Sequence, residues 1–200
     1  KQRVAIMVSK YDHCLWELLL RYRSGELHCD IPVVLSNHPN LKPVCDTFGI
    51  PFEVFPITHE NKLQQEHREI ELLKGKHEVD MVVLARYMQV KTQGFLNEFP
   101  NRILNIHHSF LPAFTGAKPY RAAHDRGVKL IGATAHYATD DLDEGPIIEQ
   151  DVIRVSHRDD IESLQLKGQI LERNVLVRAL EAHLDERVIL HNTKCVVFGD

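Results

Sequence analysis

Several things are scarce in these 200 residues, and each scarcity narrows the classes of function open to the chain. The longest uninterrupted apolar runs are only a few residues, such as Met81 to Ala85, far short of the ~20 residues that a membrane-spanning helix needs. Cysteine is sparse: Cys14, Cys29, Cys45 and Cys195 form no CxxC pair, which argues against a zinc ribbon or a disulfide framework and for reduced thiols in a cytoplasm. Excess basic charge is also missing. With 24 Lys and Arg against 28 Asp and Glu, and no basic face legible, nucleic acid is not expected as a partner. Ser9-Lys10-Tyr11-Asp12-His13, after the first strand-like run, contains no glycine, so a phosphate-cradling loop for a nucleotide cofactor is not expected there. No HExxH surrounds any of the 13 histidines and no GxSxG surrounds Ser109. If a metal were present, His107, His108, His124, His136 and Asp143 would be its ligands, but adjacent histidines on a strand face opposite ways, and the expectation is no metal.

What is present is a rhythm. The 44% hydrophobic content is enough for one sizeable core, and residues 1–200 read as one domain. Arg3 to Ser9 has the character of a buried strand, and Leu15, Leu18, Leu19 and Tyr22 follow with helical spacing up to Gly25. Strands over Ile31 to Leu35 and Pro51 to Ile57 flank a short helix from Leu41 to Phe48. Asn61 to Lys76 reads as a helix with Leu63, Ile70 and Leu73 on one side, and Val79 to Ala85 as the most apolar strand, fit for the centre of a parallel sheet. A helix from Thr92 to Glu98 leads to a strand from Ile103, and a helix from Tyr120 to Asp125 follows the loop-like run Phe114 to Pro119. Ile131 to Ala138 and Ile147 to Val155 read as a hairpin across an acidic turn. A long helix capped by Asp159 runs to about Asp185, and Val188 to Phe198 reads as a small C-terminal β-hairpin. This alternation predicts an α/β fold: a doubly wound, Rossmann-like, mostly parallel sheet with helices on both faces.

Chemistry concentrates at three predicted strand ends. In Ile103-Leu104-Asn105-Ile106-His107-His108-Ser109-Phe110-Leu111-Pro112 an apolar strand runs into polar side chains. Alternation puts Asn105 and His107 on one side, about 7 Å apart along the strand, and His108 on the other. An amide that donates to an oxygen and an imidazole that gives or takes a proton would suit a carbonyl substrate. His136 ends the next strand, and Asp140, Asp141, Asp143 and Glu144 crowd the turn beyond it. Plainer readings stand beside these: a strand asparagine serves as a structural hydrogen-bonder, a strand histidine as a packed one, and an acidic turn as a solvated turn.

Asn105-Ile106-His107-His108-Ser109-Phe110-Leu111-Pro112, joined to Leu142-Asp143-Glu144-Gly145-Pro146-Ile147-Ile148, resembles the formyltetrahydrofolate-dependent hydrolases and transferases. The likeness extends over nearly the whole chain through Val4 to Cys14, Val83 to Val90, His107 to Tyr120 and Ile131 to Val152, and His108, where relatives usually have Pro, is similar to the deformylase branch. The resemblance implies a catalytic trio of Asn105, His107 and Asp143. It also implies substrate contacts from Tyr87, Met88, Gln89, Val90, Thr139 and Asp140, with His136 as a site-wall residue that either touches substrate or only positions Asp143. The implied activity is hydrolysis of 10-formyltetrahydrofolate to tetrahydrofolate and formate, with water as acceptor and no cofactor, feeding purine synthesis and balancing one-carbon folate pools. The alternatives are formyl transfer to an amine such as glycinamide ribonucleotide, for which the missing glycines are adverse, and a non-catalytic folate-binding module. A cytoplasmic homo-oligomer and an N-terminal ACT regulatory domain upstream of Lys1 complete the expectation.

Overall fold

The computed structural model describes residues 1–109, 118–142 and 144–199. Its organising strand is β1 (Gln2–Val8), in which Val4, Ile6 and Val8 join one apolar cluster and Ala5 and Met7 the other, all fully buried. A strand apolar on both faces is satisfied only inside a sheet covered on both sides. β2 (Cys29–Asp30) pairs with the start of β1, and β3 (Val34–Ser36) with its end. β5 (Met81–Leu84) lies on the other side of β1, while β4 (Phe52–Val54) extends the sheet beyond β3 and β6 (Ile103–His107) beyond β5, all parallel. β7 (Leu130–Tyr137) and β8 (Ile147–Arg154) add an antiparallel hairpin at that edge, for the order β4-β3-β1-β5-β6-β7-β8.

Helices cover both faces, as the alternation predicts. α1 (His13–Ser24), α2 (Lys42–Phe48), α5 (Pro119–Arg126) and α6 (Ile161–Leu184) pack with Val4, Ile6 and Val8. α3 (Lys62–Ile70) and α4 (Gln93–Glu98) pack with Ala5 and Met7 through Ile70, Phe95 and neighbours. β9 (Val188–His191) and β10 (Lys194–Val197) form the separate antiparallel hairpin at the C-terminal end. No helix of the described residues is long and apolar enough to cross a membrane.

Three local expectations change. The strand expected over Ile31 to Leu35 is broken between β2 and β3, because Pro32 has no N–H for the ladder. The helix expected over Asn61 to Lys76 is α3 followed by a π-helical turn, Glu71–Lys76, and its orientation differs: Leu63 is 74% exposed while Glu66 and Glu69 are buried. The cap of α6 is Asp160, whose Oδ1 accepts from the Ser163 N–H at 2.8 Å; Asp159 instead accepts from the Ser156 N–H and pairs with Lys167. Of the loop-like run from Phe114 to Pro119, residues 114–117 lie outside the described residues.

Candidate active site

At the carboxyl ends of β5 and β6 the sheet opens onto a cavity of about 740 Å³, the place where open α/β sheets bind ligands and a volume suited to a small molecule. Tyr87, Met88, Gln89 and Val90 line it from the segment after β5, together with Asn105 and His107 of β6, His136 of β7 and Thr139 of the turn beyond. Asp140 does not join them: it is exposed and outside the lining, because the turn presents Thr139 and Leu142 instead. Asp143 lies outside the described residues; its neighbours Leu142 and Glu144 both line the cavity.

The β6–β7 ladder sets the central geometry. Asn105 pairs across the strands with His136, and the Asn105 Nδ2 to His136 Nε2 distance is 3.3 Å. His136 is 2% exposed, and its Nδ1 lies 3.0 Å from the Tyr137 carbonyl oxygen. A carbonyl only accepts, so Nδ1 carries the proton; in the neutral ring Nε2 then accepts, which orients the Asn105 amide with its nitrogen toward His136. One amide hydrogen is thereby used, and among the described residues no hydrogen bond takes the other. A register shift between Ala135 and His136 accompanies this arrangement, and Gly145 comes so near that a Cβ there would stand 1.7 Å from the Tyr137 oxygen.

His107 ends β6 opposite Thr134, whose buried hydroxyl donates to the Ser109 carbonyl at 2.8 Å and anchors the chain just past the imidazole. His108 departs from the strand alternation. It falls in the bend after β6, lines the same cavity as His107, and its ring lies 4.8 Å from that of His107 at an interplanar angle of 30°. Alternation fails there because the ladder ends at His107.

The segment after β5 is held by buried polar contacts. Ser9 Oγ donates to Asn37 Oδ1 at 2.6 Å and accepts from the Met88 N–H at 2.9 Å. Lys91, which also lines the cavity, pairs with Glu69 at 2.6 Å and lies 4.0 Å from the centre of the Phe95 ring and 4.7 Å from that of Tyr87. Glu66 accepts from both the backbone N–H and the hydroxyl of Thr92. Burial lowers the Lys91 pKa and raises that of Glu69, in each case against the attraction of the partner.

Residues 2–180 match the model of the family described as formyl transferase. The chain belongs to the formyl transferase family. Within that family it is 60% identical over 197 residues to the formyltetrahydrofolate deformylase of Synechocystis sp., which covers 98% of this chain and 69% of that protein. The crystal structure of formyltetrahydrofolate deformylase from Burkholderia mallei superposes with a TM-score of 0.95 at 50% identity, over all of this chain and 70% of that one. Glycinamide ribonucleotide transformylase 1 from Symbiobacterium toebii shares the formyl transferase fold at a TM-score of 0.92 and 29% identity, over 99% of this chain and 94% of that one. The chain spans between 63% and 70% of the length of the deformylases it matches.

Beside the strand-end residues stand others that the sequence left unmarked. Arg86 lines the cavity, takes a left-handed backbone with φ 65°, and forms an ion pair with Glu172, which is fully buried in α6. Tyr120 donates to Glu172 at 3.2 Å, and His13 Nε2 lies 3.5 Å from the same carboxylate, an ion-pair separation rather than a good hydrogen bond. Burial alone would raise the Glu172 carboxyl, but the His13 and Arg86 contacts hold it below the usual carboxylate range. The available signal was a charge on an apolar helix stripe: Glu172 shares its face with Gly168, Val175 and Ala179, all buried.

Proposed function

We propose that residues 1–200 form a catalytic domain that hydrolyses 10-formyltetrahydrofolate to tetrahydrofolate and formate. The observation that carries this reading is the oriented Asn105 amide beside His107 on a cavity of folate-compatible size, in a chain 60% identical to a formyltetrahydrofolate deformylase. Water oxygen adds to the formyl carbon, and the spare Asn105 N–H and a protonated His107 donate to the oxygen as it becomes an oxyanion. Asp143 orients the water and accepts its proton. The C–N10 bond then breaks, the proton passes to N10, and formate leaves.

The pteridine packs along Tyr87 to Val90 and the Thr139 turn. Its amide-like edge meets backbone groups there, so side-chain changes at Met88, Gln89 or Val90 act mildly. His136 serves Asn105 as a positioning residue. The reaction uses no cofactor, and activity should persist in chelator. We place the protein in the cytoplasm as a homo-oligomer, releasing formate for purine synthesis.

The deciding experiment measures formate with no amine present. Formate and tetrahydrofolate should appear in equal amounts. Asn105→Ala should lower turnover by roughly a hundredfold or more, the ~2.7–4 kcal/mol that one oxyanion donor contributes, with the fold intact by circular dichroism. Near-wild-type turnover in that variant would remove Asn105 from the mechanism.

A further inference from the structure

Glu69 has no task in the hydrolase reading, and neither has the charge it holds. Lys91 ends the run of cavity-lining residues, Arg86 to Lys91, that follows β5. Its ammonium nitrogen lies 2.6 Å from Glu69 Oε2 and 4.0 Å from the centre of the Phe95 ring, and neither Glu69 nor Phe95 lines the cavity. The Lys91 side chain is only 3% exposed. The charge therefore sits behind the wall, and what Lys91 offers the cavity is uncharged. We propose that Glu69 is a positioning residue for folate binding, drawing the Lys91 ammonium out of the cavity so that the pteridine meets an apolar wall there. The proposal rests on the folate site of the hydrolase reading above.

Stability does not account for the pair. A buried lysine and carboxylate often hold a fold together no better than apolar side chains of the same volume, because desolvating both charges offsets their attraction. Yet α3 turns Gln65, Glu66 and Glu69 inward and leaves Leu63 in water. Glu66 and Glu69, three residues apart and so on one face of the helix, hold consecutive residues of the chain. Glu69 takes Lys91, and Glu66 takes the backbone N–H and hydroxyl of Thr92. The Thr92 hydroxyl also caps α4, accepting from the Phe95 N–H at 3.4 Å. Glu66 is thus committed to Thr92, and Glu69 is the carboxylate on which Lys91 depends. A lysine stem is long and mobile, and an ammonium that loses its buried acceptor moves toward water. For Lys91 the way out is through the cavity it already lines. There it would charge a wall whose other members include Leu84, Tyr87 and Leu96.

The test measures the Kd of 5,8-dideazafolate by calorimetry, an analogue with no formyl group to lose, beside KM and kcat for 10-formyltetrahydrofolate. Glu69→Leu strips Lys91 of its acceptor. Lys91→Met with Glu69→Leu keeps a stem of similar volume and removes the charge, so the two variants differ only at residue 91. Glu69→Leu should bind the analogue at least about fivefold more weakly than wild type, with KM rising in step and kcat within about threefold. The double variant should bind at least about threefold more tightly than Glu69→Leu, which a purely structural pair does not predict. A pH series gives a second measurement. The titratable groups facing Glu69 are Lys62 and Glu66 of α3 and Lys91 and Tyr87 of the cavity wall. Burial first, then both carboxylates, push the Tyr87 hydroxyl up, so it stays neutral. Burial also raises the Glu69 carboxyl above 4.5, so acid frees Lys91 before an exposed carboxylate would titrate. The Kd of wild type relative to the double variant should therefore rise as pH falls from about 7 to about 5. If Glu69→Leu does not fold, this ratio decides alone. Smaller separations than these, or a ratio flat with pH, overturn the positioning role. Wild type that binds the analogue but releases no formate takes down the hydrolase reading and leaves Glu69 to the Kd values; wild type that binds no analogue takes down both.

Discussion

The segment after β5 enters two buried ion pairs within six residues, and burial treats them differently. Arg86 and Glu172 are shifted toward their charged forms: the guanidinium is held above its ordinary value and the carboxyl below, even though burial works against both. Lys91 and Glu69 are shifted the other way, the ammonium down and the carboxyl up. Partner number separates them. Glu172 receives Arg86, Tyr120 and His13, whereas Glu69 receives Lys91 alone among the described side chains, and burial outweighs that one contact. A buried carboxylate with several donors is stable as an ion; a pair that rests on one short contact is in closer balance with its desolvation.

Breaking the better-served pair should have the largest effect. Arg86→Ala leaves Glu172 buried without its main cation, and we expect a loss of about 3–5 kcal/mol in urea unfolding. A loss below about 1 kcal/mol would mean that Glu172 is satisfied without Arg86, and the contrast would fail. Replacing the other pair by Lys91→Met with Glu69→Leu should be neutral or stabilising by up to ~4 kcal/mol, since apolar groups of similar volume avoid the desolvation cost. If this double change destabilises as much as Arg86→Ala, the two pairs are alike after all.

The smallest effect is in pH, and its sign differs between the pairs. The folded Glu172 carboxyl lies below its ordinary 4.5, so its contribution is present above that value and is lost as pH falls through the folded pKa. The folded Glu69 carboxyl lies above 4.5, so its contribution is full below 4.5 and declines as pH rises through the folded pKa. The melting temperature of wild type should therefore drop toward that of Arg86→Met/Glu172→Leu on acidification, and rise relative to that of Lys91→Met/Glu69→Leu. Parallel curves for both would sink the assignment of opposite shifts.

The contrast also marks what was legible in the sequence. Strand positions were, because Val4 to Val8 of β1 and Met81 to Leu84 of β5 are buried on both faces and so contain no polar residue. The strand-end residues Asn105, His107 and His136 were legible because a polar side chain at the end of such a run stands out locally. Glu66 and Glu69 were not: each is a charge on a helix face, indistinguishable from a solvated one until its partner is known, and those partners lie 22 and 26 residues away, whereas Glu172 showed only as a charge on an apolar stripe, with nothing local to name its partners. Leu63 misled for the complementary reason, since the helix turns its acids inward toward Lys91 and Thr92 and leaves that leucine in water. His108 misled because alternation applies only while the ladder lasts.

Gly145 carries one more consequence. Surface turns are ordinarily where sequences drift freely, and Leu142 in this turn is 64% exposed. Three residues on, the only thing that fits against the Tyr137 carbonyl is a hydrogen atom. That carbonyl is the same oxygen that fixes the proton on His136, and through it the direction in which the Asn105 amide points. A methyl group at position 145 would thus reach the heart of the site through two hydrogen bonds, disabling the amide from a position that need never meet the substrate.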